Sequence, residues 1–231
     1  MLLYQPDSGY CYNSDSLFLY DFISSFKPRG RMLDVGAGCG IVGLLVARDN
    51  KKVQLEAVEK QDIFVEFATI NARVNDIEYK LHKTDFLDLG VEQKYDYIVS
   101  NPPFYHSAST KSENEILFNA RYNINLPLSR FFKKVSQVLK PKSHFIFCYE
   151  ASQFGLICAE LNKVNMRVVD VQFVHPKEDR VASIVLVHAR NGSNAMMKVW
   201  QPFISFDGVE FSKKAQEIYK KAKTQSIKCQ L

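Results

Sequence analysis

An alternating α/β fold, with a mostly parallel sheet and helices on both faces, is what the sequence predicts. Three observations predict it. Short apolar runs alternate with helix-length amphipathic stretches between residues 31 and 190. Glycines and prolines stand where those runs stop, as at 36–40 and 102–103. The 231 residues contain no internal repeat and no low-complexity linker, which suits one structural domain.

Each element follows from its pattern. Arg31-Met32-Leu33-Asp34-Val35 is a short apolar run ending in glycines and reads as a buried strand. Cys39 to Arg48 is apolar, helical in length and free of proline. Val53 to Val58 is the second strand. Ile63, Phe64, Phe67 and Ile70 place one apolar face on a helix from Asp62 to Val74. Ile77 to His82 reads as a third strand, and Tyr95 to Ser100 as a fourth, stopped by Asn101-Pro102-Pro103. Beyond it come a helix at Ser129 to Leu139, a strand at His144 to Cys148 and a helix at Ala151 to Lys163. Met166 to Val174 and Val181 to Ala189 complete the core strands. In such a sheet, ligands sit beyond the carboxyl ends of the strands, near the point where strand order reverses.

Two segments flank this core. Residues 1–30 form an N-terminal extension, expected to pack near the ligand site, with a helix from Asp15 to Phe26. Residues 31–190 are the core, and residues 191–231 a C-terminal segment ending in a basic helix from Ser212. That last stretch, 212–231, holds six Lys and one Glu.

Composition excludes several classes. Apolar residues make up 46% and charged residues 24%, an ordinary globular balance. The 30 Lys and Arg exceed the 25 Asp and Glu by a formal +5, a mild excess compatible with an anionic partner. No apolar run approaches the ~20 residues of a membrane helix. The first residues lack a basic flank and a long apolar stretch, so no secretory signal is expected and the location reads as cytoplasmic. Cys11, Cys39, Cys148, Cys158 and Cys229 are odd in number and never spaced C-x-x-C, so reduced thiols are expected and a zinc site is not.

The first candidate site is Asp34-Val35-Gly36-Ala37-Gly38-Cys39-Gly40, between the first strand and the first helix. Glycines there let the backbone turn sharply and approach a ligand, with helix N–H groups aimed at it. The spacing is not G-x-G-x-x-G, which disfavours a dinucleotide. Glu59 stands 23 residues after Gly36 at the end of the second strand, where a carboxylate can accept from a ribose 2′,3′-diol and repel a 2′-phosphate. Asp85, after the third strand, can accept from an adenine amino group. Together these loops describe a nucleoside cleft without a phosphate clamp, which favours S-adenosylmethionine as cofactor.

The second candidate is Asn101-Pro102-Pro103-Phe104. Two prolines fix the backbone and offer no N–H donor. The Asn101 side-chain oxygen and the Pro102 carbonyl can therefore both face one planar amino group, and Phe104 can stack on the ring that carries it. Two acceptors make a delocalised nitrogen more electron-rich as it attacks. The protein's part is alignment and stabilisation of charge developing on nitrogen. Asn101 also borders the expected cofactor cleft.

The combination LDVGAGCG, Glu59, Asp85 and SNPPFY resembles class I S-adenosylmethionine-dependent methyltransferases acting on exocyclic or amide nitrogens. Tyr12-Asn13-Ser14-Asp15-Ser16-Leu17-Phe18-Leu19, Ala120-Arg121-Tyr122, His175-Pro176-Lys177, Arg180-Val181 and Phe206 to Ser212 resemble the bacterial tRNA(Val) (adenine-N6)-methyltransferase family. Phe104 stands where that family more often has Tyr. The resemblance implies a Rossmann-like, seven-stranded, mostly parallel sheet with the last strand antiparallel. It implies cofactor contacts at Gly36, Gly38, Glu59 and Asp85, and target-amine contacts at Asn101 and Pro102. It implies methyl transfer to adenine N6 in tRNA. Guanine N2 in RNA and a protein glutamine amide remain alternative acceptors, and a cofactor-binding module without turnover is the non-enzymatic one.

The expected partner is RNA, a tRNA, with no membrane and no obligate protein partner. Residues 105–125 form a long polar stretch after the amine motif, with Tyr105, Lys111 and Arg121 as candidate substrate contacts. Lys177 and Arg180 lie in another strand-end loop. An unpaired adenosine is cheap to splay out and stack on an aromatic ring.

Overall fold

The computed structural model describes residues 1–7, 11–102 and 127–230. Its first half comprises β1 (Leu2–Pro6), α1 (Ser14–Ser25), β2 (Gly30–Val35), α2 (Ile41–Asp49), β3 (Val53–Glu59), α3 (Asp62–Val74), β4 (Lys80–Lys83) and β5 (Tyr95–Ser100). Its second half continues with α4 (Leu128–Val138), β6 (Leu139–Glu150), α5 (Phe154–Lys163), β7 (Met166–His175) and β8 (Ile184–Asn191). The short strands β9 (Lys198–Val199), β10 (Phe203–Ile204), β11 (Phe206–Asp207) and β12 (Glu210–Phe211) lead to α6 (Lys213–Ala222) and β13 (Gln225–Cys229).

The main sheet runs in the order β4-β3-β2-β5-β6-β8-β7. Its neighbours are parallel except where β8 runs antiparallel to β6 and β7. These are the seven expected strands, the last one antiparallel. Two further two-residue strands, β9 and β10, extend the edge at β7 and bring the sheet to nine.

Helices cover both faces. Phe131 and Phe132 of α4 meet the rings of Phe145 and Phe147 on β6. On the opposite face α1 packs on β6 and β8, and its Phe18 and Phe22 meet Phe203 and Trp200. Phe145 to Tyr149 are consequently all buried, without the alternation of a one-sided strand.

The last core strand lies at Ile184–Asn191 rather than Val181 to Ala189, and three other boundaries move for a local reason. The third strand begins at Lys80 rather than Ile77, because Asp76 is left-handed (φ 52°) and the Ile77 amide still donates to the Ala72 carbonyl of α3. The strand expected at His144 starts earlier, at Leu139, and runs through Pro141. A register irregularity opposite Tyr95 and Tyr97, with Lys142 at φ 58°, absorbs the proline. The helix expected from Ala151 begins with a 3-10 turn, Ala151–Gln153, before α5.

The flanks close on each other. β1 and β13 form a parallel two-stranded ladder, with Leu2 opposite Gln225 and Pro6 opposite Cys229. Neither strand was expected from the sequence.

Candidate active site

The chain leaves β2, moves outward through β3 and β4, and returns to β5 on the other side of β2. That reversal is where open α/β sheets bind ligands. Val35 pairs with Ser100, so the next residues, Gly36 and Asn101, leave adjacent strands side by side. The Ser100 hydroxyl donates to the Val35 carbonyl at 2.8 Å and ties the two strand ends together.

A cleft of about 1000 Å³, counting its open mouth, lies over this junction. Asp34, Gly36, Gly38, Glu59, Asp85 and Asn101 all border it. Gly36 (φ 66°) and Gly38 (φ 55°) are left-handed, and a Cβ on either would meet nothing within 4 Å. Backbone conformation, not crowding, calls for glycine there, and the space beside them belongs to the cleft. Gly40 does not line the cleft. It is the left-handed N-cap of α2, packed against Leu44 and Ala68, so its role is to turn the chain into the helix.

Glu59 is buried and held by three backbone donors. Its Oε1 accepts from the Lys60 and Gln61 amides at 2.8 and 2.9 Å, and its Oε2 from the Gly38 amide at 3.0 Å. This links the end of β3 to the glycine loop. Oε1 is filled, and Oε2 keeps one acceptor position for a hydroxyl.

Asp34 forms part of the cleft floor. Its Oδ2 accepts from the Gly43 amide at 2.9 Å. Burial pushes its carboxyl up to about 7; the Gly43 bond opposes this, and the Glu59 charge adds to it. Asp85 accepts from the Leu87 amide at 2.9 Å through Oδ1, capping a short 3-10 turn, and faces Lys60 at 3.5 Å through Oδ2. An adenine amino group would share Oδ2 with that lysine.

Asn101 is half-buried. Its Nδ2 donates to the Ser16 hydroxyl at 3.1 Å, and its Oδ1 accepts from the Cys148 thiol at 2.7 Å. Pro102 follows it, buried. Pro103, Phe104, Tyr105, Lys111 and Arg121 lie outside the described residues.

Lys177 and Arg180 are brought together, but away from the cleft. They border a separate hollow in the β7–β8 turn with Pro176, Val181, Ala182 and Ser183. β7 is three strand positions from β5, or about 14 Å at the usual strand spacing. The lysines at 213, 214, 220, 221 and 223 are exposed on or just after α6; Lys221 pairs with Asp21 at 2.8 Å. Among the described residues no cluster could hold a metal ion, and no helix is long and apolar enough to cross a membrane.

Sequence reasoning missed several wall residues, Tyr12, Ser16 and Phe64 among them. Tyr12 is held from behind: its hydroxyl donates to Thr224 Oγ1 at 3.1 Å and its amide to Gln5 Oε1 at 2.8 Å. Only the resemblance of the 12–19 segment pointed at Tyr12 and Ser16, and Phe64 read as an ordinary helix-face residue.

Residues 13–125 match the family model of the methyltransferase small domain. Over 158 residues the chain is 27% identical to a Porphyromonas gingivalis protein named tRNA1(Val) (adenine(37)-N6)-methyltransferase, covering 64% of this chain and 62% of that one. Over 101 residues it is 27% identical to ribosomal RNA small subunit methyltransferase C of Haemophilus influenzae, covering 43% of this chain and 30% of that one. The matched region thus spans less than two thirds of either relative. Among solved structures, a predicted O-methyltransferase from Agrobacterium tumefaciens superposes with a TM-score of 0.71 at 16% identity, covering 93% of this chain and 100% of that one. The Thermus thermophilus 16S rRNA N2 G1207 methyltransferase, in complex with AdoMet and guanosine, gives 0.58 at 20% identity, covering 80% and 44%. At these identities the structural likenesses establish the fold, a Rossmann-like class I methyltransferase fold.

Proposed function

We propose, from the match of residues 13–125 to the methyltransferase small domain family model, that this protein methylates an exocyclic amine of RNA, adenine N6 of a tRNA in the first instance. The single observation that carries the reading is the Val35–Ser100 pairing, which sets the glycine loop and Asn101 against one cleft. The relatives named for tRNA and rRNA methylation support RNA as the acceptor class.

The residues present suit S-adenosylmethionine. Gly36 and Gly38 leave open space beside their backbone, Glu59 offers an acceptor on Oε2, and Asp85 faces the same cleft. When bound, the cofactor supplies a methyl carbon on a sulfonium whose sulfur departs neutral, so the accepting nitrogen need only shed a proton afterwards. Glu59 and Asp85 orient the nucleoside end. Asn101 and the Pro102 carbonyl present oxygens to the amine, stabilising positive charge as it develops on nitrogen. The charge of Lys177, Arg180 and the α6 lysines would attract phosphates without reading sequence.

Guanine N2 is the second reading, favoured by the match to the ribosomal enzyme of Haemophilus influenzae and by the fold shared with the G1207 enzyme. Incubation with isotope-labelled S-adenosylmethionine and tRNA, followed by nucleoside mass spectrometry, tests the proposal. N6-methyladenosine supports it. N2-methylguanosine or labelled protein glutamine moves the acceptor. Cofactor binding with no transfer to any RNA or protein leaves a binding module and overturns it. Asn101→Ala should retain cofactor binding by calorimetry and lose transfer.

A further inference from the structure

A carboxamide at the end of a short side chain turns easily, because the terminal torsion of Asn is broad and roughly two-fold. An Asn that must aim its oxygen at a reacting amine therefore needs something to hold it. The surroundings of Asn101 supply two such groups, from two different elements. Ser100 pairs with Phe147 across β5 and β6, so Cys148 stands beside Asn101. Ser16 reaches it from α1, which covers that face of the sheet.

The two contacts are complementary. Cys148 is fully buried, with 0% exposure, and burial pushes its thiol well above the ordinary range, with the Asp15 charge adding to the effect. It therefore stays an S–H and acts as a donor, here to Asn101 Oδ1. Ser16, 2% exposed, accepts from Nδ2 through its hydroxyl oxygen. A thiol donor on the oxygen side and a hydroxyl acceptor on the nitrogen side favour this orientation of the amide over the flipped one. A flipped amide would have to donate to sulfur, a weak acceptor, and draw a turned Ser16 hydroxyl as its donor. Each bond uses one position only, so Oδ1 keeps a second acceptor position.

We propose that Cys148 and Ser16 are positioning residues which lock the Asn101 carboxamide in the orientation that faces its oxygen to the incoming amine. The inference rests on the methyl-transfer reading and names the parts of that site that give it its geometry. Cys148 does not act as a nucleophile.

The test compares Cys148→Ala, Cys148→Ser and Ser16→Ala in the full chain. A misaimed reacting group costs about 10- to 100-fold in rate, so Cys148→Ala should lower kcat by that factor with KM for tRNA and the cofactor Kd unchanged. Cys148→Ser, which keeps a donor, should recover kcat to within about threefold of wild type. Equal losses in Cys148→Ala and Cys148→Ser, or none in Cys148→Ala, overturn the proposal. A second readout needs no activity. The Asn101 side-chain NH₂ signals, identified by their loss in Asn101→Asp, should exchange slowly with solvent in wild type and faster in Ser16→Ala. Equal exchange rates would also overturn the lock. Wild-type protein that transfers to nothing yet shows slow exchange would refute the methylation reading alone.

Discussion

Gly43 sets the helix α2 against the strand that carries the site. A Cβ there would stand 2.8 Å from Asp34 Oδ2 and 2.9 Å from Leu55 Cδ1. Two effects of opposite sign meet in Gly43→Ala. Helix propensity favours alanine by about 1 kcal/mol, while overpacking a fixed contact costs about 1–3 kcal/mol. Leu55 can turn away. Asp34 cannot without giving up the Gly43 amide that its own Oδ2 accepts. The clash should win, and urea unfolding should show Gly43→Ala less stable than wild type by up to about 2 kcal/mol; an equal or higher midpoint would mean that the strand shifts freely. At this scale the sequence revealed residues in consecutive motifs. Gly36, Gly38 and Asn101 were legible because a glycine run and N-P-P constrain their own backbone. Tyr12, Ser16 and Cys148 were not, because each reaches the site through a register or a helix packing that single residues do not encode.

Among the elements, α3 and β1 form the least expected pair. Asn71 of α3 accepts from the Tyr4 amide at 2.7 Å and donates to the Tyr4 carbonyl at 2.9 Å. Asn75, one turn on, accepts from the Leu2 amide at 3.0 Å and donates to the Leu2 carbonyl at 2.6 Å. Four residues of helix rise about 6 Å, close to two residues of strand, so two asparagines imitate the edge of a neighbouring strand. The other edge of β1 pairs with β13. Asn71 also donates to the Cys39 carbonyl at 2.9 Å, so the same side chain ties the N-terminal strand to the glycine loop. Asn71→Ala would strand buried backbone groups at both places, a cost of about 2–4 kcal/mol. It should also weaken cofactor binding, measured by calorimetry, while Asn75→Ala, which touches only Leu2 and α3, should lower stability and leave affinity unchanged. Equal affinity in all three proteins would separate the ladder from the site. The ladder was illegible beforehand because Gln225–Cys229 is mostly polar and half-exposed, with no apolar alternation to mark a strand. The central strands were legible because burial on both faces made them continuous apolar runs.

For the whole molecule, stability against pH is set by groups pulling in opposite directions. Burial raises the carboxyls of Asp49, Glu56 and Asp96, but Arg48, the pair His82 and Arg31, and Lys140 outweigh it and hold each below its ordinary value. Their contribution is present at neutral pH and is lost as pH falls below about 4. His144 is pushed down to about 4, by burial first and then by the His188 and Arg190 charges, and His188 is lowered as well despite Asp170. Between about 4 and 6.5 the unfolded chain takes up protons that these histidines refuse, so they too weaken the fold as pH falls. Asp34 runs the other way. Its native carboxyl, at about 7, holds a proton that the unfolded chain has already released above 3.8. Its contribution is therefore greatest below 3.8 and disappears as pH rises towards 7. The two slopes oppose each other between 4 and 6.5 and should flatten the wild-type profile there. Asp34→Asn keeps an acceptor for the Gly43 amide and removes only the titration. Urea midpoints taken from pH 4 to 8 should then rise with pH more steeply in Asp34→Asn than in wild type, with the gap between the two reaching a constant value above about 7. Parallel profiles would mean that Asp34 is ionised in the native cleft, with enough water at its floor to solvate a second carboxylate beside Glu59.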